Sequence, residues 1–290
     1  MVKLSYVLSG LLLLLAACKQ SETVKTTRSG LKYSVIKAGD GVTGKKGEIL
    51  VFDFQLKDSK DSVWNDSYKE GLPAAMEIRD TAEVNMEDGV AQMLRELSTG
   101  DSVKTTMTIP EFFKNLVRRP PPPSVDTTGS VTYTINVKDV MNFDEFLAWR
   151  EKTTTERDSK QIQKYLADNK LEAKQDTSGI YYIIHNTTGG AKPTPENCVE
   201  VKYEGKFLKD ERLFDKNEKI GFSLNEVIRG WKLSIPMLAK GDSGTFFIPS
   251  KLAYGPQGYP GAIPPDAVLI FKVQLLNFAN EVDPATRTCK

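Results

Sequence analysis

One strand-rich pattern occurs twice in this chain, and no other feature limits the possible folds as sharply. The segment SGLKYSVIKAGDG (residues 29–41) matches SGIYYIIHNTTGG (178–190) at an offset of 149. GEILVFDFQL (47–56) then matches NCVEVKYEGKFL (197–208) at an offset near 150. Further on, LSTGDS (97–102) matches LAKGDS (238–243), and VTYTINVKDV (131–140) parallels VLIFKVQLLNF (268–278). Apolar and polar side chains alternate in these segments, the period of a strand with one buried face. Both copies share one order: strand, turn, strand, loop, short helix, Gly-Asp turn, strand, long loop, closing strand. A length of 290 residues accommodates two domains. The expected fold is α+β, with two mostly antiparallel sheets, each carrying one short helix, at 28–142 and 173–280.

Between the copies, residues 143–172 are predicted helical and are read as a linker that sets the domain spacing. Asn142 and Glu145 have capping-box spacing. Phe143, Phe146 and Leu147 form one apolar stripe, and Ile162, Tyr165 and Leu166 another. The middle, KTTTERDSK (152–160), is polar throughout. It fits either one long solvated helix or two with a break, and no chemistry is assigned to it. Residues 281–290 are left as a tail.

The first 17 residues have the form of a secretion signal. Lys3 precedes an apolar run at 7–17, too short for a bilayer-spanning helix of about 20 residues. The ending LAAC resembles a bacterial lipobox. That resemblance implies that Cys18 is lipidated and holds the chain on a membrane without spanning it. Residues 18–27 then form a flexible polar tether, and the implied location is the bacterial cell envelope, facing periplasm or exterior. Such a compartment permits a disulfide between Cys198 and Cys289. Two cysteines do not establish one, and Cys198, which precedes an alternating strand, reads as a small half-buried residue.

A formal net charge of +1 gives no support to nucleic-acid binding, which draws on a basic patch or stripe. The lone histidine, His185, argues against a His-rich metal site and against Ser-His or Cys-His catalysis. No zinc spacing occurs, and no metal or cofactor is expected.

Chemistry is concentrated between residues 227 and 271. Trp231, Tyr254 and Tyr259 sit there beside Gly and Pro, and bulky rings on fixed turns suit the wall of an apolar pocket. In order and spacing, VEVKYEGKF, LFD, FSL, EVIRGW, KGD, IPSKLAYG, GYPGAIPP and VLIFKVQLL resemble the FKBP-type peptidyl-prolyl isomerases over about 178–278. The resemblance implies a twisted antiparallel sheet wrapped on a short helix, with the pocket between them. It implies Trp231 as the pocket floor and Tyr203, Phe214, Val227, Ile228, Ile263 and Phe271 as its walls. Asp215 becomes a carboxylate that hydrogen-bonds within the site. The Tyr254 hydroxyl and the Ile263 N–H become donors to substrate carbonyls. Tyr203, Asp215, Tyr254 and Phe271 are thus the expected catalytic group, and Trp231, Phe214, Val227, Ile228 and Ile263 the expected substrate-binding group. This chain departs from the family at Ile220, where a phenylalanine is usual, at Ala262 and Tyr259, and in a short loop between Phe214 and Phe222.

The implied activity is cis–trans isomerisation of X-Pro bonds in exported proteins, with proline-containing polypeptides as partners. Its alternative is a non-catalytic chaperone or assembly lipoprotein with the same groove. A weaker third reading is a structural surface lipoprotein. In the first copy, the expected counterparts are Asp53 for Tyr203, Trp64 for Phe214, Asn65 for Asp215, Ile135 for Phe271, and Met86 or Val90 for Trp231. The AYG loop is replaced by residues 111–129, whose RRPPPP run is expected to be exposed and extended. The first copy is therefore expected to be a scaffold, or to hold a client or partner, without catalysis.

Overall fold

The computed structural model describes residues 23–79, 88–283 and 285–290. The signal segment, Cys18 and Met86 lie outside the described residues. No helix among the described residues is long and apolar enough to cross a membrane. The protein is a mixed α/β chain of antiparallel sheets with few helices, and it divides into two compact units, Met1–Met141 and Asn142–Lys290.

The first unit contains strands β1 (Thr23–Thr26), β2 (Lys32–Lys37), β3 (Ile49–Asp58), β4 (Val63–Asp66), β5 (Ala74–Glu77), β6 (Ser102–Thr108) and β7 (Ser130–Met141). Short helices α1 (Ser67–Glu70), α2 (Gly89–Arg95) and α3 (Ile109–Phe112) accompany them. Its sheet runs β1-β2-β6-β7-β3-β4, with β5 also on β3. Residues 23–26, expected within the tether, instead form an edge strand. Their side chains are exposed, but their backbone is in register with β2, from Thr23 opposite Val35 to Thr26 opposite Lys32.

The second unit begins with helix α4 (Phe143–Asp168). Strands β8 (Lys174–Gln175), β9 (Tyr181–Asn186), β10 (Cys198–Phe207) and β11 (Leu213–Ser223) follow, then helix α5 (Arg229–Ser234), then β12 (Ser243–Ile248) and β13 (Leu269–Ala279). This sheet runs β11-β10-β13-β12-β9-β8, the same order of corresponding strands as the first. Along β12 and β13 the side chains alternate between two cores, as strand geometry requires. Phe246 and Phe271 face the α5 side with Trp231, whereas Phe247 and Ile270 face the other side with Ile162 and Leu166.

The two Gly-Asp turns do the same job in each unit. Gly100 and Gly241 both take left-handed backbone, with φ of 88° and 92°, which costs glycine little. The aspartate that follows then ties down the loop after the first long strand. Asp101 accepts from the amides of Gly39 (2.7 Å) and Ser98 (2.6 Å). Asp242 accepts from those of Thr188 (2.6 Å) and Ala239 (2.9 Å), and these bonds lower its pKa.

Helix α4 is one unbroken helix with its Asn142–Glu145 capping box formed in both directions. It is not a solvated linker. Thr154, Asp158, Ile162 and Leu166, spaced by four, are all buried, so one stripe faces the second sheet. Asp158 is fully buried and accepts from the Ser250 amide (2.7 Å) and hydroxyl (2.6 Å) while pairing with Arg157. The first apolar stripe does not become core: Phe143 and Leu147 are exposed, and Phe146 stacks on Trp149 at 6.0 Å.

The tail is also ordered. Its strands β14 (Val282–Asp283) and β15 (Thr288–Cys289) form a hairpin, and Cys289 is bonded to Cys198 with their Cα atoms 5.5 Å apart. The cysteine reading is thus corrected: Cys198 is fully buried and disulfide-bonded.

Because Asp158→Ala leaves Arg157 and Ser250 buried without their shared partner, it is expected to cost about 3–5 kcal/mol. Denaturant unfolding of the second unit's fluorescence measures this. A loss below about 1 kcal/mol would mean that the helix is not clamped through this carboxylate.

Candidate active site

The aromatic cluster of the second unit is assembled by four elements, three strands and one helix. β10 contributes Tyr203, β11 contributes Phe214 and Phe222, and β13 contributes Phe271, while α5 inserts Trp231 from one side. The Trp231 ring meets Tyr203 at 5.1 Å, Phe271 at 5.3 Å and Phe222 at 5.5 Å, each nearly perpendicular. Phe214 meets Phe271 edge-on at 5.7 Å. Edge-to-face pairs of this kind contribute about 0.5–1.5 kcal/mol each beyond their area. Val227, Ile228, Tyr254 and Ile220 pack against the cluster half-buried, and Ile263 is buried within it. Phe222 was not singled out from sequence as a site residue. Its signals were the FSL motif and strand alternation, which places it two residues beyond Ile220 on the same face.

Gly205 makes the ring arrangement possible. A Cβ there would lie 2.7 Å from the Phe214 ring and 2.9 Å from the Phe271 ring. Gly205 faces Asp215 on one side and Phe271 on the other, so the missing side chain is the space into which both rings lean. Helix α5 also relies on a glycine, since a Cβ at Gly230 would meet Ile248 at 2.5 Å.

Polar groups border this apolar surface. The Tyr203 hydroxyl donates to Asp215 at 2.5 Å. Burial, reinforced by that hydrogen bond, raises the Tyr203 phenol far above its ordinary value. Burial first, and the Asp215 charge second, raise Tyr254 as well. Both phenols therefore remain protonated donors at neutral pH. The Tyr254 hydroxyl makes no hydrogen bond to another described residue. The Trp231 indole N–H is buried and likewise has no acceptor among the described residues.

The loop holding Tyr254 is fixed at both ends. Asp158 binds its first turn through Ser250. Arg150 binds Asp266 at 2.7 Å, and Arg157 donates to the Asp266 carbonyl at 2.6 Å. Within the loop, Tyr259 and Ile263 exchange backbone hydrogen bonds of 2.8 Å in both directions. This corrects one expected role: the Ile263 N–H is consumed in closing its own loop. The amide of Ile228, at the start of α5, donates to no group among the described residues.

The first unit resolves two of the expected correspondences differently. Each central strand pair has a register shift: β7 carries one extra residue, Lys138, opposite the Val51–Phe52 step of β3, and β13 carries Leu276 opposite the Glu200–Val201 step of β10. Counted from these shifts, Tyr203 corresponds to Phe54 and Phe271 to Tyr133, rather than to Asp53 and Ile135. A one-residue slip along a strand exchanges its faces, and Asp53 instead binds the Ser67 hydroxyl (2.9 Å) and Lys138 (3.1 Å). Trp64 and Asn65 do correspond to Phe214 and Asp215. Phe54 and Tyr133 remain a ring pair at 5.2 Å, but Leu56 fills the place of Gly205. Phe112 and Phe113, from the segment that replaces the AYG loop, close on Trp64 at 5.8 and 6.2 Å. The position of Trp231 falls on Val90, buried in the first core. Most of the RRPPPP run is exposed.

Comparison with known proteins bears on the same segment. The family described as FKBP-type peptidyl-prolyl cis-trans isomerase matches residues 189–276. An FKBP-type peptidyl-prolyl cis-trans isomerase, FkpA, of Aeromonas hydrophila is 28% identical over 95% of this chain and 93% of its own length. FK506-binding protein 1 of Eremothecium gossypii is 39% identical over 30% of this chain and 82% of its own. The outer membrane protein MIP of Legionella longbeachae is 38% identical over 34% of this chain and 44% of its own length. The ring cage lies where these matches concentrate, and the chain belongs to the FKBP-type peptidyl-prolyl cis-trans isomerases.

Proposed function

We propose that the ring cage of the second unit isomerises X-Pro bonds in exported polypeptides while Cys18, lipidated, holds the chain on a membrane of the cell envelope. A single observation carries the catalytic assignment. Trp231, Phe271, Phe214, Phe222 and Tyr203 form one ring cluster, bordered by an otherwise unbonded Tyr254 hydroxyl. A peptide bond resists rotation by about 18–20 kcal/mol because its C–N bond has partial double-bond character. The twisted bond has lost that resonance and is less dipolar than the planar one. A dry aromatic surface therefore favours it relative to water, and each ~1.4 kcal/mol of preference gives about tenfold in rate. No nucleophile or acid–base pair is needed. In this reading Trp231 is the floor under the proline ring, and Phe214, Val227, Ile228, Ile263 and Phe271 are the walls. Asp215 orients Tyr203, and Tyr254 donates to a substrate carbonyl. The second donor, assigned from sequence to the Ile263 amide, is reassigned to the free amide of Ile228.

The first unit is proposed as an FKBP-like domain that has lost catalysis, because Leu56, Phe112 and Phe113 occupy or cover the corresponding space. It serves as a scaffold or holds clients. The envelope location is supported by the LAAC ending at Cys18 and by the name of the Legionella relative, an outer membrane protein.

Isomerase activity of the whole chain on a short Leu-Pro peptide is expected to fall about a hundredfold in a Tyr254→Phe, Phe271→Ala double variant. Equal rates in the two proteins would refute the catalytic assignment. Gly205→Ala is expected to lose at least about tenfold, with far-ultraviolet circular dichroism unchanged, because the two rings lose their space.

Turnover is expected to be level from about pH 6 to 9, since Tyr203 and Tyr254 both titrate above the ordinary tyrosine value near 10. The stability that the protonated Tyr203 provides is complete below about pH 10 and is lost as pH rises past it. Thermal unfolding across pH 8–11 follows this loss. In cell fractionation, Cys18→Ser is expected to move the protein from the membrane to the soluble fraction. Retention on the membrane would count against a lipid anchor.

A further inference from the structure

The β14–β15 hairpin is attached to the strands that form one wall of the cage, at residues that alternate with the wall residues. Strand β11 is an edge of the second sheet. In its register with β10, Phe222 pairs with Val199, Gly221 with Glu200 and Ile220 with Val201. Val199, Val201, Ile220 and Phe222 belong to the core that contains Trp231. Cys198, Glu200 and Gly221 alternate with them, so they face the other side of the sheet, and these three residues hold the hairpin. Cys289 is disulfide-bonded to Cys198, and its amide donates to the Glu200 carboxylate at 2.9 Å. Glu200 is buried, and Lys219 of β11 reaches it at 3.4 Å. The Gly221 N–H donates to the Arg287 carbonyl at 2.7 Å. A Cβ on Gly221 would lie 2.7 Å from that oxygen, so the close approach requires glycine.

The hairpin is closed within itself. Glu281 and Lys290 exchange backbone hydrogen bonds of 3.1 and 2.9 Å. Asp283 accepts from the amides of Ala285 at 2.9 Å and Thr286 at 3.3 Å, and its carbonyl accepts from the Arg287 amide at 2.8 Å. The hairpin is thus one body clipped to β10 and β11, and the disulfide is its one covalent clip.

On the cage side of the same strand, Phe222 meets Trp231 at 5.5 Å and Tyr203 at 6.2 Å. Its neighbour Gly221 is the residue that the hairpin holds. An edge strand has a partner strand on one side only, so the hairpin supplies the support that β11 lacks on its free side. The first unit, whose cage space is filled, has no such clip: no cysteine occurs between residues 23 and 141.

We propose that the hairpin is a positioning element for the ring cage and that the Cys198–Cys289 disulfide is its redox switch. With the disulfide closed, Ile220 and Phe222 are held against Trp231 and the cage binds proline. An external dithiol opens it by supplying two electrons and two protons. The S–S bond becomes two thiols, and the dithiol closes to its own disulfide. The hairpin is then free to leave Glu200 and Gly221, and the wall in front of it loosens. This rests on the isomerase reading of the ring cage and adds regulation to that site.

The test uses the whole chain, oxidised or reduced with dithiothreitol, at a temperature well below the unfolding transition of either form. Binding of a fluorescently labelled Leu-Pro tetrapeptide is followed by polarisation and turnover by cis-to-trans exchange. Amide hydrogen exchange over residues 213–223 reports on β11. Reduction is expected to weaken peptide binding and raise KM by at least about threefold, the size of a coupling carried through packed side chains, with a smaller change in kcat. Reoxidation is expected to restore both. A Cys198→Ala, Cys289→Ala double variant is expected to match the reduced chain with or without dithiothreitol. Gly221→Ala, which displaces the Arg287 carbonyl, is expected to weaken binding while the disulfide stays closed. Protection of residues 213–223 is expected to fall in each case. A hairpin that only stabilises the fold would lower the thermal midpoint on reduction and leave peptide affinity and KM the same, and that result overturns the proposal. If the oxidised chain fails to accelerate Leu-Pro exchange, the catalytic reading falls instead, and polarisation with amide exchange still decides the role of the hairpin.

Discussion

The Phe214 and Phe271 rings lean together over a strand position that has no side chain. Gly205 lies beneath them, and a single added carbon would stand within 3 Å of both. Once that space is open, Phe271 can meet Trp231, and Trp231 can meet Tyr203 and Phe222. The first unit has the same strand order, and it even keeps a ring pair in Phe54 and Tyr133. There, however, Leu56 occupies the space, and its own Phe112 and Phe113 cover Trp64. Sheet topology is therefore compatible with both a cage and a filled core, and side-chain volume at one strand position separates the two.

The cage also depends on a loop that has little regular structure of its own. Residues 249–266 carry Tyr254 and Ile263, and backbone groups left unpaired in such a loop would be costly to bury. Helix α4 supplies much of what is needed, through Asp158 at Ser250 and through Arg150 and Arg157 at Asp266. The loop supplies the rest by its Tyr259–Ile263 exchange. A helix that looks like a spacer in sequence is thus part of the catalytic unit. A similar point applies to the C-terminal hairpin, which the disulfide brings to the opposite edge of the same sheet.

Much of the fold was legible in the sequence, because period-two alternation and the Gly-Asp turns are local signals. The repeat gave the strand order, and the motif series gave the ring residues around Trp231. What was missed has identifiable causes. The buried stripe of α4 includes Thr154 and Asp158, so hydrophobic periodicity could not mark it, while the apolar Phe143 and Leu147 mark a face that stays exposed. The Asp53 and Ile135 correspondences failed because the alignment was not counted from the register shifts between the central strands: Asp53 is one residue from Phe54, which changes the face presented, and Ile135 is two residues from Tyr133, on the same face. The role given to the Ile263 amide failed because a backbone hydrogen bond leaves no trace in side-chain identity.

The amino-acid sequence by itself determined the two-copy organisation, the family and most of the aromatic residues of the cage. Those depend on residue type and on short-range spacing, both of which can be read along the chain. Only the tertiary structure decided which donors remain free, that Cys198 and Cys289 meet, and that α4 clamps the Tyr254 loop. It also brought the C-terminal hairpin to the edge strand of the second sheet. Each of these is a contact between residues far apart in sequence, settled by how the sheets, helix and hairpin pack in space.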